Sequence, residues 1–229
     1  LCYTEGDSYE MRILMENKTK TKRPPRKRRS LSVAERKKQL HLRIGLSLAG
    51  IFLVFFLFLA PFGPHLLFGK GRAVNLSDSV LQYQALVDQY CEEYSIPAFS
   101  QVVLAIMQQE SAGSVADVMQ ASESPFNTWY ANTPNSILDP DYSIRVGVET
   151  FAYCLNEAGC TSPRQKSRLK LALQTYNYGN SYASWALTNY GGYSQDNALE
   201  FAENMKGKLG WSQYGDPEYV SHVLRYYRS

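Results

Sequence analysis

A run of seventeen residues without a charge, Ile44 to Ala60 (IGLSLAGIFLVFFLFLA), divides this chain and limits what either side of it can be. An apolar stretch of this length lies at the short end of the roughly 17–25 residues that span a bilayer as a helix. With the adjoining PFGPHLLF it reads as a single transmembrane anchor over residues 44–68. Immediately before it, Lys18 to Arg43 holds twelve Lys/Arg against one acid, Glu35. A segment so charged and without aromatics cannot bury enough apolar surface to offset its ordering entropy, so residues 1–43 read as a disordered basic tail. Basic runs bind nucleic-acid phosphates in some proteins. Lys/Arg directly before an apolar span more commonly fix topology, staying on the cytoplasmic side and sending the C-terminal side out. The topological reading is the one taken, and no nucleic-acid partner is expected. A cleaved signal peptide is the alternative account of the run, but such h-regions are about 7–15 residues and end in a small-x-small site. This run is longer and leads into Pro61-Phe62-Gly63-Pro64. The expectation is a single-pass cell-membrane protein with its N-terminus cytoplasmic and the remainder extracellular.

The net charge of +3 conceals two opposite parts: from Lys70 onward the chain has 11 basic and 16 acidic residues, a net of −5. Residues 69–79 read as a linker and 80–229 as one globular domain. Helical periodicity begins after Ser77 or Asp78, with Val80, Leu81, Tyr83, Leu86, Val87 and Tyr90 on one face. Ser100–Gln109 is apolar all round (VVLAIM), as a helix inside a domain would be. Residues 111–141 are rich in Ser, Asn, Pro and Gly, a loop long enough to be functional. Helical patterns return near 143–155, 163–178, 182–188, 194–209 and 217–227, with Ser162-Pro163 and Asp216-Pro217 as start signals. The domain is therefore expected to be mainly α. Cys154 and Cys160 could close a short disulfide outside the cell, or remain buried thiols with Cys91. No C-x-x-C occurs, and His41, His65 and His222 are scattered, so no metal site is expected.

Glu110 ends the all-apolar helix and precedes Ser-Ala-Gly-Ser, which stops it. A carboxylate at the partially negative end of a helix, beside apolar packing, is disfavoured in its charged form, which suits a general acid. Downstream come Asp117-Val118-Met119-Gln120-Ala121-Ser122-Glu123-Ser124, then Thr175-Tyr176-Asn177-Tyr178-Gly179 and Gly191-Gly192-Tyr193-Ser194. The chain closes on Gly210-Trp211, Tyr214-Gly215-Asp216 and Tyr219-Val220-Ser221-His222-Val223-Leu224-Arg225-Tyr226-Tyr227. This order of motifs resembles the goose-type lysozyme and lytic transglycosylase superfamily. Within it, the similarity is to the muramidase domain of the cell-wall hydrolases of Gram-positive conjugative elements, the CwlT-like proteins.

The resemblance implies a lysozyme-like fold and cleavage of the β-1,4 bond between N-acetylmuramic acid and N-acetylglucosamine in a peptidoglycan glycan strand, without a cofactor. Glu110 would be the catalytic acid and Asp117 a second acidic residue, on a turn facing the cleft, directing water or steadying the transition state. Gln120, Ser122, Ser124, Tyr176 and Asn177 would bind substrate. Ala121 departs from the family, which commonly has Ser there. Members often carry a papain-like peptidase domain as well; no endopeptidase activity is expected of these residues. The setting implied is local wall opening during conjugation, with conjugation-machinery proteins as partners. Two rival readings remain: a lytic transglycosylase, with Glu110 acting alone, or a non-catalytic glycan-binding scaffold of a conjugation channel.

Overall fold

The computed structural model describes residues 71–228. The basic tail expected at 1–43 and the anchor expected at 44–68 lie outside the described residues. Among those described, no helix is long and apolar enough to cross a membrane.

The described residues carry eight α-helices, one 3-10 turn (Pro97–Phe99) and a two-stranded ribbon: β1 (Arg72–Ala73), α1 (Asp78–Leu81), α2 (Gln84–Glu93), α3 (Ser100–Glu110), α4 (Pro140–Glu157), α5 (Lys166–Tyr178), α6 (Ser181–Tyr190), α7 (Gln195–Leu209), α8 (Tyr219–Leu224) and β2 (Tyr227–Arg228). The helix α3 is the centre, as its composition predicts: Val102 through Met107 are all buried. Around it pack α1, α2, α8 and the ribbon, while α4 and α5 pair on a second side.

Residues read as a linker are partly built into the domain. Arg72 and Ala73 pair antiparallel with Arg228 and Tyr227. Buried or half-buried backbone donors need partners, and α3 supplies them: the Ala73 amide donates to Gln101 Oε1 at 3.1 Å and the Ser77 amide to Gln108 Oε1 at 2.7 Å. Ser77 also caps α1 through its side chain and donates to the Ala112 carbonyl at 2.8 Å.

Helix boundaries differ from expectation where turn chemistry intervenes. The first helical stretch is split at Gln82 and Tyr83. α5 begins at Lys166 rather than Pro163, because Gln165 Oε1 accepts from the amides of Thr161 and Ser162 and holds that segment as a turn. Asp216 likewise ties the Glu218 amide at 2.8 Å, and α8 starts only at Tyr219. Conversely, α4 starts earlier than expected, with Asp139 capping and Pro140 at the first helical position. Ser194 and Asn197 form a reciprocal capping box at α7. Cys91, Cys154 and Cys160 are all buried and are free thiols in this structure, the second of the two expectations.

One glycine sets how closely the long loop approaches the core. At Gly147 of α4 an added Cβ would lie 2.5 Å from Met119 Cβ and 2.7 Å from its Cγ. Met119, fully buried, therefore packs directly on the backbone of α4 and anchors the loop that precedes it.

Candidate active site

Glu110 is placed by the end of α3. After it, Ala112 (φ 52°) and Gly113 (φ 70°) turn left-handed and redirect the chain. Gly113 also needs its missing side chain, since a Cβ there would meet the Ser79 carbonyl oxygen at 2.5 Å. Half-buried at this end, Glu110 accepts a hydrogen bond on Oε1 from the hydroxyl of Tyr219, itself buried on α8. No described residue bonds its other oxygen, Oε2. Burial pushes the Glu110 carboxyl from its ordinary 4.5 to about 7; the Tyr219 hydrogen bond opposes this, and the negative charges of Asp117 and Asp216 add to it. A carboxyl so poised holds a proton near neutral pH yet can surrender it, as general acid catalysis requires.

Sequence reasoning does not single out Tyr219 as a site residue. Its contact with Glu110 spans 109 positions, and it depends on α8 packing against α3.

Asp117 requires a correction. It lies on a turn after α3, as expected, but it faces inward and is only 2% exposed. Its Oδ1 accepts from the Ala121 amide at 2.9 Å and the Ser143 hydroxyl at 2.7 Å. Its Oδ2 accepts from the Ser122 amide at 3.1 Å and from the Ser122 hydroxyl. A carboxylate has about four acceptor positions, and here the loop fills them. Asp117 thus organises residues 117–122 through these bonds, while its charge still reaches Glu110. Ser122 is corrected with it: at 1% exposure its hydroxyl serves Asp117 and the Ile137 amide, and it does not reach substrate space. Spacing in the sequence could not show which way this turn points its carboxylate.

The other expected binding residues do come together. Gln120, Ser124, Tyr176 and Asn177 border a cleft of about 400 Å³, joined by Thr150 and Trp211. Gln120 sits at a left-handed φ of 47° and is held by Asn135 Oδ1 and the Asp117 carbonyl. Ser124 and Thr150 share a hydrogen bond of 2.6 Å. The Tyr176 hydroxyl donates to the Met119 carbonyl at 2.9 Å, tying α5 to the loop. Burial, then the nearby charge of Glu110, holds the Tyr176 phenol well above its usual range, so it remains a neutral donor. Asn177 Oδ1 accepts from the Asp216 amide at 2.7 Å, clamping the turn that leads to Tyr219. Glu110 is not itself among the residues lining this cleft; Tyr176, which feels its charge, is the shared neighbour. Tyr178 turns largely into the core, its hydroxyl on the Ala198 carbonyl. His222 Nδ1 lies 2.6 Å from Asp216 Oδ2, and no cluster of three metal-ligating side chains occurs among the described residues.

Comparison with known proteins places this geometry. The family model for lysozyme-like proteins matches residues 77–228. The chain is 34% identical over 158 residues to the bifunctional muramidase/DL-endopeptidase CwlT of Bacillus subtilis, covering 69% of this chain but only 44% of CwlT. It is 27% identical to the uncharacterized membrane protein YocA of the same organism, covering 70% of this chain and 71% of YocA. Among solved structures, a Staphylococcus aureus protein described as similar to a lipoprotein of the NLP/P60 family superposes with a TM-score of 0.57 at 30% identity. That match covers 68% of this chain and 55% of the other. The chain thus spans about half the length of two of these three relatives.

Proposed function

Because the chain belongs to the lysozyme-like family, we propose that it is a glycoside hydrolase that cuts the peptidoglycan glycan strand at the β-1,4 bond between N-acetylmuramic acid and N-acetylglucosamine. The observation that carries this reading is Glu110: a carboxyl at a helix end, raised to about 7 by burial, with one oxygen fixed by Tyr219 and the other without a partner among the described residues. The muramidase named in CwlT supports the same reaction for the shared part.

In this mechanism protonated Glu110 delivers its proton to the glycosidic oxygen as the bond breaks and positive charge builds on the sugar ring. The resulting carboxylate is steadied by the Tyr219 hydroxyl on Oε1. It then accepts a proton from the nucleophile that closes the reaction. With water as nucleophile, the product carries a new reducing end. The inward orientation of Asp117 favours a second reading: with that carboxylate occupied by its own loop, the C6 hydroxyl of the same sugar can attack in place of water. Glu110 then acts alone, as in a lytic transglycosylase. Asp117 supports either course by holding the loop that presents Gln120 and that Tyr176 bonds at Met119.

Digestion of purified peptidoglycan and mass spectrometry of the fragments test both. Reducing muramic ends establish the hydrolase and 1,6-anhydro ends the transglycosylase. Binding without fragments overturns both in favour of a glycan-gripping scaffold. We further propose that the domain works outside the cell membrane, held by residues 44–68, and opens the wall locally during conjugative transfer. Protease added to intact cells should remove the region after Gly69 and spare the basic tail. Recovery of the domain free in the medium, with a new N-terminus near Ala60, would contradict the anchor.

A further inference from the structure

Away from the site of bond cleavage, the cleft has an aromatic wall that the proton transfer does not use. Trp211 is 57% exposed although it borders the cleft. A single exposed apolar side chain is ordinary on a protein surface, but one on the border of a cleft is placed to meet whatever enters it. This one is also held in place. Gly210, at a left-handed φ of 68°, ends α7 and turns the chain, and the Trp211 amide donates back to the Lys206 carbonyl at 3.2 Å. The ring lies 6.0 Å from that of Tyr214, inclined by 31°. Tyr214 in turn donates its hydroxyl to the Tyr178 carbonyl at 2.6 Å, and Tyr178 stacks on Phe201 at 5.5 Å. A ladder of rings thus runs from the core to the cleft, with Trp211 as its outermost rung.

The rest of the lining mixes small apolar and polar groups and is almost uncharged. Gln120, Ser124, Asn177 and Asn180 supply amides and a hydroxyl, and Glu123 is the single charged side chain among the lining residues. Asn177 Oδ1 is taken by the Asp216 amide, and its Nδ2 meets no acceptor among the described residues while the residue lines the cleft. A flat aromatic wall and uncharged hydrogen-bonding groups in one cleft match the two surfaces of a pyranose, its C–H face and its equatorial polar groups. The lone acid Glu123 disfavours an anionic ring beside it.

We propose that Trp211, backed by Tyr214, stacks on an N-acetylglucosamine ring of the glycan strand, with the Asn177 amide donating to that sugar's acetamido oxygen. Trp211 is thereby a substrate-binding residue that takes no part in the proton transfer. This rests on the glycan-cleaving function proposed for Glu110, and its test separates the two.

The 229-residue chain in detergent, carrying Glu110→Gln so that ligand is not cleaved, is titrated with a peptide-free tetrasaccharide of alternating N-acetylglucosamine and N-acetylmuramic acid. Tryptophan emission should change on binding, and the change should vanish in Trp211→Phe while Trp129 and Trp185 remain. Trp211→Ala should weaken Kd at least tenfold and Trp211→Phe no more than about threefold. In the otherwise native chain, Trp211→Ala should raise KM about tenfold and leave kcat within about twofold. The exposed position of Trp211 makes an unchanged Tm the expected control. Undiminished tetrasaccharide binding by Trp211→Ala overturns the proposal. So does no binding by the Trp211-containing chain, or an emission change produced equally by isolated stem peptide. If binding depends on Trp211 but the native chain cuts no glycan, the proposal stands and the enzymatic reading falls.

Discussion

Replacing Glu110 by Gln keeps the size of the side chain and its acceptor for Tyr219 but removes the proton on which the mechanism turns. In the folded chain the carboxyl titrates at about 7 instead of its ordinary 4.5. The folded state therefore holds this proton more tightly than the unfolded state, and the associated stability is fully present below pH 4.5. It is lost as pH rises toward and through 7. At roughly 1.4 kcal/mol per pH unit, the loss amounts to about 3 kcal/mol once Glu110 ionises. For a domain of this size that is on the order of 6–12 °C in Tm. Gln carries no such dependence. Thermal melts of native and Glu110→Gln protein should coincide near pH 4 and diverge above pH 5, with the variant the more stable at pH 8. Over the same range wall-degrading activity of the variant should be at least ~10²-fold lower, and that of the native protein should decline as pH passes 7. A variant thus more stable and less active at neutral pH would mark Glu110 as a group held for function at the expense of stability. Melting curves that stay parallel from pH 4 to 8 would refute the burial argument, and activity surviving the substitution would refute the assignment of the acid.

Three further substitutions probe the support of this group. Asp117→Asn places an amide where four donors converge; it should cost about 2–4 kcal/mol in urea unfolding and lower activity with it. Lost activity at unchanged stability would instead mean that Asp117 acts on substrate. Tyr219→Phe removes the hydrogen bond that opposes the rise in the Glu110 pKa, so the alkaline limb of the pH–rate profile should move above 7 while turnover falls roughly tenfold. An unmoved limb would show that Tyr219 only packs. Gly147→Ala drives a methyl into Met119, with about 1–3 kcal/mol of destabilisation expected by chemical denaturation. Native stability in that variant would mean that Met119 does not seat the loop on α4.

Sequence by itself determined that the domain after residue 70 is helical, that Ser100–Glu110 is its central helix, and that Glu110 ends that helix beside apolar packing. Those properties are local: periodicity, an uninterrupted apolar run and a glycine-containing stop are written in consecutive residues. Motif order also put Gln120, Ser124, Tyr176 and Asn177 among the candidates that border one cleft. Tertiary structure alone decided the direction in which polar groups point. Asp117 and Glu110 are both acids near one helix end, yet one is wrapped by Ala121, Ser122 and Ser143 while the other meets a single tyrosine from α8. The pairing of Arg72–Ala73 with the far end of the domain, the approach of Tyr219 and the exposure of Trp211 on the cleft were likewise invisible in sequence. Each depends on contacts between segments remote in the chain. An inward turn and an outward one can share the same residue pattern; only the donors brought by other elements fix which carboxylate is satisfied and which is left poised to react.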